Sequence, residues 1–194
     1  MGIEEIKKKL ETILTPKRYL HSINVMQVSE SLAKKHGEDS AKAALAGLLH
    51  DCARDITDDE LIKQCERYNV KLDDICRFQP ELLHAMLGAE LARHTYGIHD
   101  QEILKSIRFH TTGCRNMSLL NKIVFIADSI EPGRIFPGVE EIRSLACEDI
   151  NAAVELSLER TIKHVLNKGT LIHPDTIDAR NHLILERKIN AGKL

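Results

Sequence analysis

The sequence predicts an all-α protein, a single bundle of about eight to ten helices. Helical periodicity and helix caps recur along the chain, whereas the alternation typical of strands is close to absent. Aromatic residues make up 4% of the 194 residues and Trp is missing, while Leu, Ile and Ala are abundant. A chain of this length suits one domain. We expect a core over about residues 17–134, with C-terminal helices over 139–190 packed on it.

The first three helices are predicted from the residues that end them and from their apolar faces. A short helix over about Ile3–Leu14 should end before a proline. A second, over Lys17–His36, should end at Gly37, a residue type that favours helix C-termini. The third covers about Ser40–Cys52. Because its segment 43–49 is apolar nearly all round, this helix should lie at the centre of the bundle.

Later helices are bounded by capping residues, prolines and glycines. The segment Thr57–Glu60 has the pattern of a capping box and predicts a helix through about Tyr68. Pro80 suits the first turn of another helix. The further predicted helices lie over 80–97, 100–110, 119–130 and 139–168, and after Pro174. No internal repeat or interdomain linker interrupts this series.

Charge and cysteine content argue against several classes of protein. With 27 Lys and Arg against 29 Asp and Glu, the chain has a net charge of −2 and no basic half or tail that would suit nucleic acid. Its five cysteines are scattered without a CxxC pair, which indicates reduced thiols. Met1–Leu14 is charged and amphipathic, unlike a signal peptide, and apolar runs are shorter than the ~18 residues that span a bilayer. We expect a cytoplasmic protein that binds neither membrane nor nucleic acid.

Residues able to bind metal recur on the apolar sides of separate predicted helices. His21 shares a stripe with Val25 and Leu32, and Asp128 lies on the face of Leu120 and Val124. An unpaired polar group in an apolar interior costs roughly 2–7 kcal/mol, and a charge costs more. One such residue is commonly a hydrogen-bonded core residue, but the whole set needs a shared partner. The set is His21, His50, Asp51, His84, His110 and Asp128.

The donor set favours a metal centre with mixed nitrogen and oxygen ligands. Four imidazoles and two carboxylates without a thiolate suit iron, manganese or another divalent metal. Six protein ligands are too many for one catalytic ion with open positions and about right for two. Since a carboxylate has two oxygens, Asp51 beside His50 at a helix end can bridge two ions. Two ions ~3.5–4 Å apart can activate water and clamp the oxygens of a phosphoryl displacement.

Five segments that contain these residues resemble a known family. The segments are YLHS (19–22), GLLHD (47–51), HAMLGA (84–89), IRFHTTG (107–113) and ADSIEPGR (127–134). On an all-α chain they resemble the HD-domain metal-dependent phosphohydrolases. More narrowly, they are similar to the YqeK group, the symmetrical bis(5'-nucleosyl)-tetraphosphatases. The resemblance extends from about Tyr19 to Asn181 and implies a single HD-type domain.

The resemblance implies a dinuclear centre and a reaction. The implied ligands are His21, His50, Asp51 and Asp128 for one iron and Asp51, His84 and His110 for a second position, with Asp51 as the bridge. A metal-bound hydroxide would attack a β-phosphorus of diadenosine tetraphosphate in line, and two ADP would form. Iron is the expected metal, with manganese or another divalent ion as alternatives. The expected ligand is therefore a dinucleoside polyphosphate or ADP.

Cations and polar groups near these segments are candidates for binding the substrate, which carries about four negative charges. Arg54 lies one turn beyond the His–Asp pair, and Arg134 follows a tight turn from which it could stabilise charge on a phosphate. Thr111 could hold a phosphate oxygen. Each has a structural alternative: a solvated surface, an ion pair or a helix-end hydrogen bond. Positions similar to those that flank the nucleotide in the family are Thr170, His173 and Asn181, for which capping and packing are the alternative.

Two rival functions stay open on the sequence alone. One is an HD hydrolase of another nucleotide phosphoester. The other is a metal-stabilised nucleotide-binding sensor without turnover, which the intact set of six candidate ligands disfavours. The sequence does not determine the oligomeric state, and a homodimer is among the alternatives.

Overall fold

The described part of the protein is built from helices alone. The computed structural model describes residues 1–192, and this range contains eleven α-helices, one 3-10 helix and no strand, which confirms the all-α prediction. The α-helices are α1 (Ile3–Ile13), α2 (Pro16–His36), α3 (Ser40–Leu49), α4 (Asp58–Arg67), α5 (Asp74–Phe78), α6 (Leu83–Tyr96), α7 (Gln101–Arg108), α8 (Leu119–Ile130), α9 (Val139–Glu148), α10 (Ile150–Lys168) and α11 (Pro174–Asn190). The 3-10 helix is Pro80–Leu82, directly before α6. No described helix is long and apolar enough to cross a membrane.

The packing of α2 against α3 is the most extensive helix contact and positions two of the candidate ligands. At this contact, a Cβ on Gly47 would lie 2.9 Å from the carbonyl oxygen of Val25 and 2.7 Å from the hydroxyl oxygen of Ser29. Glycine therefore permits an approach that a side chain would block. Both helices also pack against α8. This arrangement directs His21 of α2 and His50, at the end of α3, towards α8.

The main hydrophobic core runs from α1 to α11. Its buried members extend from Ile6 to Leu183 and include most of α8, a helix that is buried on nearly all sides. A second, smaller cluster includes Leu61 of α4 and Leu83 and Leu87 of α6. The predicted division into a core of 17–134 and a C-terminal layer stays a prediction.

The prediction of one long helix over 139–168 is wrong, because the structure has two helices in this range. Asp149 separates α9 from α10 with φ −141° and ψ 98°, outside the helical region. Its side chain accepts hydrogen bonds from the backbone N–H groups of Asn151 and Ala152, at 2.9 and 3.1 Å. Asp caps a new helix here because its carboxylate satisfies amides that a continuous helix would bond internally.

Two other helix ends differ from the prediction in detail. The helix expected after Thr57 begins there, but the Thr57 side chain makes no capping hydrogen bond, so the predicted capping box does not form. The helix predicted to reach Cys52 ends at Leu49, and residues 50–55 form turns. The five-residue helix α5 was not predicted. The turns over residues 50–55 carry His50 and Asp51 of the candidate site.

Candidate metal centre

The structure brings all six predicted residues into one cluster. They come from helices that are distant in sequence but adjacent in the bundle: His21 from α2, His50 and Asp51 from the end of α3, His84 from α6, His110 from the end of α7, and Asp128 from α8. Five of them are buried, and Asp128 is half-buried. A cluster of polar groups in this setting needs internal partners.

Asp51 lies between two pairs of histidines. Its Oδ2 is 3.6 Å from Nε2 of His21 and 3.4 Å from Nε2 of His50. Its Oδ1 is 3.2 Å from Nε2 of His84 and 3.5 Å from Nε2 of His110. Each carboxylate oxygen therefore faces one pair, which is the arrangement that a bridging carboxylate requires.

The four imidazoles all use Nδ1 to hold their orientation. The acceptors are the carbonyl oxygens of Gly47 for His50 (2.7 Å), Glu81 for His84 and Ile107 for His110 (2.8 Å), and the carboxylate of Glu131 for His21 (3.1 Å). Because these oxygens only accept, the hydrogen-bond network assigns the proton to Nδ1 of each ring. Each Nε2 is then left with a lone pair directed into the cluster.

These lone pairs face each other at short range. The Nε2 atoms of His21 and His50 are 3.2 Å apart, and those of His84 and His110 are 3.1 Å apart. Two acceptors at this distance gain nothing from each other, whereas a cation between them and the carboxylates satisfies all of them. The residue groups whose donor atoms lie within 4.8 Å of one another here are His21–His50–Asp51, His50–His110–Asp128 and Asp51–His84–His110. The donor set fits divalent metal, with its ring nitrogens oriented by the surrounding hydrogen bonds.

The surroundings keep both carboxylates ionised. Burial raises the pKa of Asp51. When the histidines carry a second proton instead of a metal, however, the charge of His50 and hydrogen bonds from His110, His50 and His84 outweigh burial and hold the pKa of Asp51 well below its ordinary value. Burial likewise opposes ionisation of Asp128. When these histidines are protonated and no metal is bound, the hydrogen bond from His21 and the charges of His50 and Arg134 nevertheless lower the pKa of Asp128 below its usual range. Ionised carboxylates are the form that binds metal.

Glu131 supports the cluster from outside and was not predicted as a site residue. It is 4% exposed and accepts hydrogen bonds from Nδ1 of His21, from the side chain of Asn24 at 2.9 Å and from the backbone N–H of Gly133 at 2.6 Å. A Cβ on Gly133 would lie 2.8 Å from Oε1 of Glu131. Gly133, two residues after Glu131, was the sequence signal that could have indicated this tight turn.

Two arginines border the cluster. The predicted Arg134 is ion-paired with Oδ1 of Asp128 and donates from Nε to the Asp128 carbonyl oxygen at 2.8 Å. Arg18, which was not predicted, donates from Nη1 to Oδ2 of Asp51 at 2.6 Å. It lies one turn before His21 on α2, at a helix start where a charged side chain gives no sequence signal of its own.

A family model for the HD domain matches residues 18–133, a range that contains all six candidate ligands. The chain belongs to the HD-domain family. HD domains are metal-dependent, and the cluster described above offers the donors that such a metal needs. The predicted family resemblance is thereby confirmed.

Relatives and a solved structure cover nearly the whole HD-domain chain. A protein of Halalkalibacterium halodurans named bis(5'-nucleosyl)-tetraphosphatase, symmetrical, is 47% identical over 175 residues, which are 90% of this chain and 93% of the relative. A Bacillus subtilis protein of the same name is 38% identical over 184 residues, covering 95% and 98% of the two chains. A solved structure from Clostridium acetobutylicum, described as a predicted HD superfamily hydrolase involved in NAD metabolism, is 45% identical with a TM-score of 0.94. That match covers 96% of this chain and 98% of the other.

Three of the predicted substrate contacts line one cleft of about 250 Å³: Thr111, Thr170 and His173. His173 is buried, and both of its ring nitrogens already have protein partners. Its Nδ1 accepts the backbone N–H of Asp175 at 3.2 Å and so caps α11, and its Nε2 is 2.9 Å from Oδ2 of Asp73. These contacts support the alternative role of His173, which is to cap and pack α11. Its predicted contact with the nucleotide stays a prediction.

The remaining two predicted contacts are not joined to the cluster through their side chains. Arg54 is half-buried, and its backbone N–H donates to the Asp51 carbonyl oxygen at 2.9 Å. Among the described residues its guanidinium forms no ion pair. Asn181 is exposed on α11, where its oxygen lies 3.4 Å from Nη1 of Arg180. Both assignments stay predictions.

Proposed function

We propose that this HD-domain protein is a symmetrical bis(5'-nucleosyl)-tetraphosphatase that hydrolyses diadenosine tetraphosphate to two ADP. Two relatives with that name, at 47% and 38% identity, support the activity. The observation that carries the chemistry is the pairing of four Nε2 lone pairs around the two oxygens of Asp51. Donor atoms that point to two cation positions fit the hydrolysis of a phosphoanhydride, because the negative charge of the phosphates must be neutralised as the bond breaks.

Two divalent metals would be held by the six residues, with iron as the first candidate and manganese or another divalent ion as alternatives. The proposed ligands are His21, His50, Asp51 and Asp128 at one position and Asp51, His84 and His110 at the other. When bound, such ions supply a water of lowered pKa as nucleophile and polarise the phosphoryl oxygens.

The chain's own residues hold the reacting groups in place. Asp51 would offer one carboxylate oxygen to each of the two positions, and the hydrogen bonds from Nδ1 fix the imidazole rings. Hydroxide attacks one of the two inner phosphorus atoms in line, the bond from that phosphorus to the central bridging oxygen breaks, and ADP leaves with that oxygen. Arg134 offsets the negative charge that develops on the leaving oxygen.

Product analysis tests this function. The protein is purified without oxygen, loaded with ferrous or manganous ion and incubated with diadenosine tetraphosphate, and the products are separated by chromatography. We expect ADP alone. A mixture of AMP and ATP would contradict symmetrical cleavage. Bound metal without turnover of this substrate would instead favour another nucleotide phosphoester, and a bound nucleotide that survives prolonged incubation would favour a sensor.

A further inference from the structure

A second group of potential metal ligands lies where the start of α11 meets α5. Asp73 directly precedes α5, Cys76 is on α5, and His173 directly precedes α11. One donor atom from each of these residues lies within 4.8 Å of the other two. The group shares no residue with the candidate metal cluster, and it contains a thiol, which that cluster lacks. Its donor chemistry is therefore different.

Short contacts hold the side chain of Asp73 between the other two residues. Its Oδ2 is 2.9 Å from Nε2 of His173, a residue 100 positions later in the sequence. Its Oδ1 accepts the backbone N–H of Cys76 at 2.7 Å. Ligands about 2.0–2.3 Å from a tetrahedral zinc ion are roughly 3.3–3.6 Å from one another. Small movements of these side chains would therefore give the donor spacing that zinc needs.

The group combines buried donors with an opening to solvent. Cys76 is 0% exposed and His173 is 7% exposed. Asp73, His173 and Asp175 line a cleft of about 580 Å³. A thiolate beside an imidazole and a carboxylate selects zinc among the common divalent ions. Three protein ligands leave a fourth position, which water from the cleft or the carboxylate of Asp175 could fill.

The short helix α5 gives such a metal a structural role. The helix has five residues, and Cys76 is the one that is buried. A helix of this length is marginal by itself, and its own apolar contacts add little. A metal bound to Cys76 and to the residues that precede α5 and α11 would join two segments that are far apart in sequence.

We propose that Asp73, Cys76 and His173 form a structural zinc site that joins α5 to the start of α11. On binding, the thiol of Cys76 loses its proton to solvent. The ring proton of His173 moves from Nε2 to Nδ1, which now accepts the backbone N–H of Asp175. Oδ2 of Asp175, 3.6 Å from Nδ1, is available as the new acceptor. Ferrous ion binds such ligands less tightly than zinc does, so the two kinds of site can be loaded separately.

Cobalt titration followed by absorption spectroscopy tests the site. Cobalt replaces zinc in tetrahedral sites, and a thiolate ligand gives a charge-transfer band that nitrogen and oxygen ligands do not give. Wild type is compared with Asp51→Ala, which removes the proposed bridging ligand of the other centre. We expect, in both proteins, a thiolate band that saturates at about one cobalt per chain. Zinc should displace the cobalt and abolish the band.

Three further variants assign the band to its ligands. Cys76→Ser should abolish it, whereas Cys147→Ser, which changes an exposed thiol, should keep it. Asp73→Asn retains an oxygen that can cap α5 but loses the charge. We expect it to weaken cobalt binding about 10-fold or more, since even outer partners of a metal site contribute 10- to 100-fold. Asp73→Asn decides the question if Cys76→Ser does not fold.

Several results would overturn the zinc site. One is the absence of a thiolate band in wild type at saturating cobalt. Another is a band that Cys76→Ser retains or that Cys147→Ser loses, and a third is unchanged cobalt affinity in Asp73→Asn. Cobalt that zinc does not displace would contradict the choice of metal. Because none of these measurements involves turnover, failure of the proposed hydrolysis would leave them unaffected.

Discussion

At the scale of single residues, Glu131 determines which nitrogen of His21 faces the cluster. Its carboxylate accepts the Nδ1 proton and leaves Nε2 free. Glu131→Gln keeps an acceptor of the same shape but removes the charge that strengthens this bond. We expect metal affinity to fall about 10- to 100-fold, as it does when outer partners of metal-bound histidines are changed. Metal titration of the apoprotein measures this, with the exposed Glu11→Gln as control. Unchanged affinity would contradict the role.

Arg134 contacts a proposed ligand without being one. Arg134→Ala removes the ion pair with Asp128 and the charge proposed to face the leaving oxygen. We expect kcat to fall roughly 100-fold, in the range found when one stabilising donor is removed from an active site. Metal content should stay near that of wild type, and Arg134→Lys should recover part of the rate. Loss of metal in step with loss of activity would assign Arg134 to holding Asp128 instead.

Some residues of the cluster could be predicted from the sequence and others could not. His21, His84 and Asp128 could be predicted because a polar side chain in an apolar stripe stands out from its helix. Glu131 and Arg18 could not. Both lie at helix ends, where charged residues are common whatever they contact, and only the fold brings them to the cluster.

At the scale of elements, the break between α9 and α10 depends on one capping carboxylate. Asp149→Ala removes the acceptor for two backbone N–H groups at the start of α10. We expect it to lower the free energy of unfolding by about 1 kcal/mol, measured by urea denaturation. Asp149→Asn, which retains a capping oxygen, should stay close to wild type. Equal losses in the two variants would show that charge, and not capping, matters at this position.

Helix ends with a strong local signal matched the structure, and those without one did not. Asp100 caps α7 by accepting from the backbone N–H groups of Glu102 and Ile103, where the sequence predicts a helix to begin. The break at Asp149 was missed because apolar periodicity continues across it and no Gly or Pro marks it. The short helix α5 is below the length at which periodicity can be recognised.

At the scale of the whole molecule, the cluster ties together helices that are far apart in sequence. Its side chains come from α2, the end of α3, α6, the end of α7 and α8. A metal that binds only this folded arrangement should stabilise it by about 2.7 kcal/mol at a free concentration of 100 times Kd. For a chain of this size we expect Tm to rise by about 5–10 °C, measured by calorimetry of apoprotein with and without metal. An equal rise in Asp51→Ala would place the stabilising metal elsewhere.

The number of metals per chain tests the central claim, a dinuclear centre bridged by Asp51, most directly. Apoprotein is reconstituted with ferrous ion without oxygen, and the bound metal is counted in wild type, His84→Ala and Asp51→Ala. We predict about two ions in wild type, about one in His84→Ala, which loses a ligand of one position only, and close to none in Asp51→Ala. A single ion in wild type, or two ions retained by Asp51→Ala, would contradict the account.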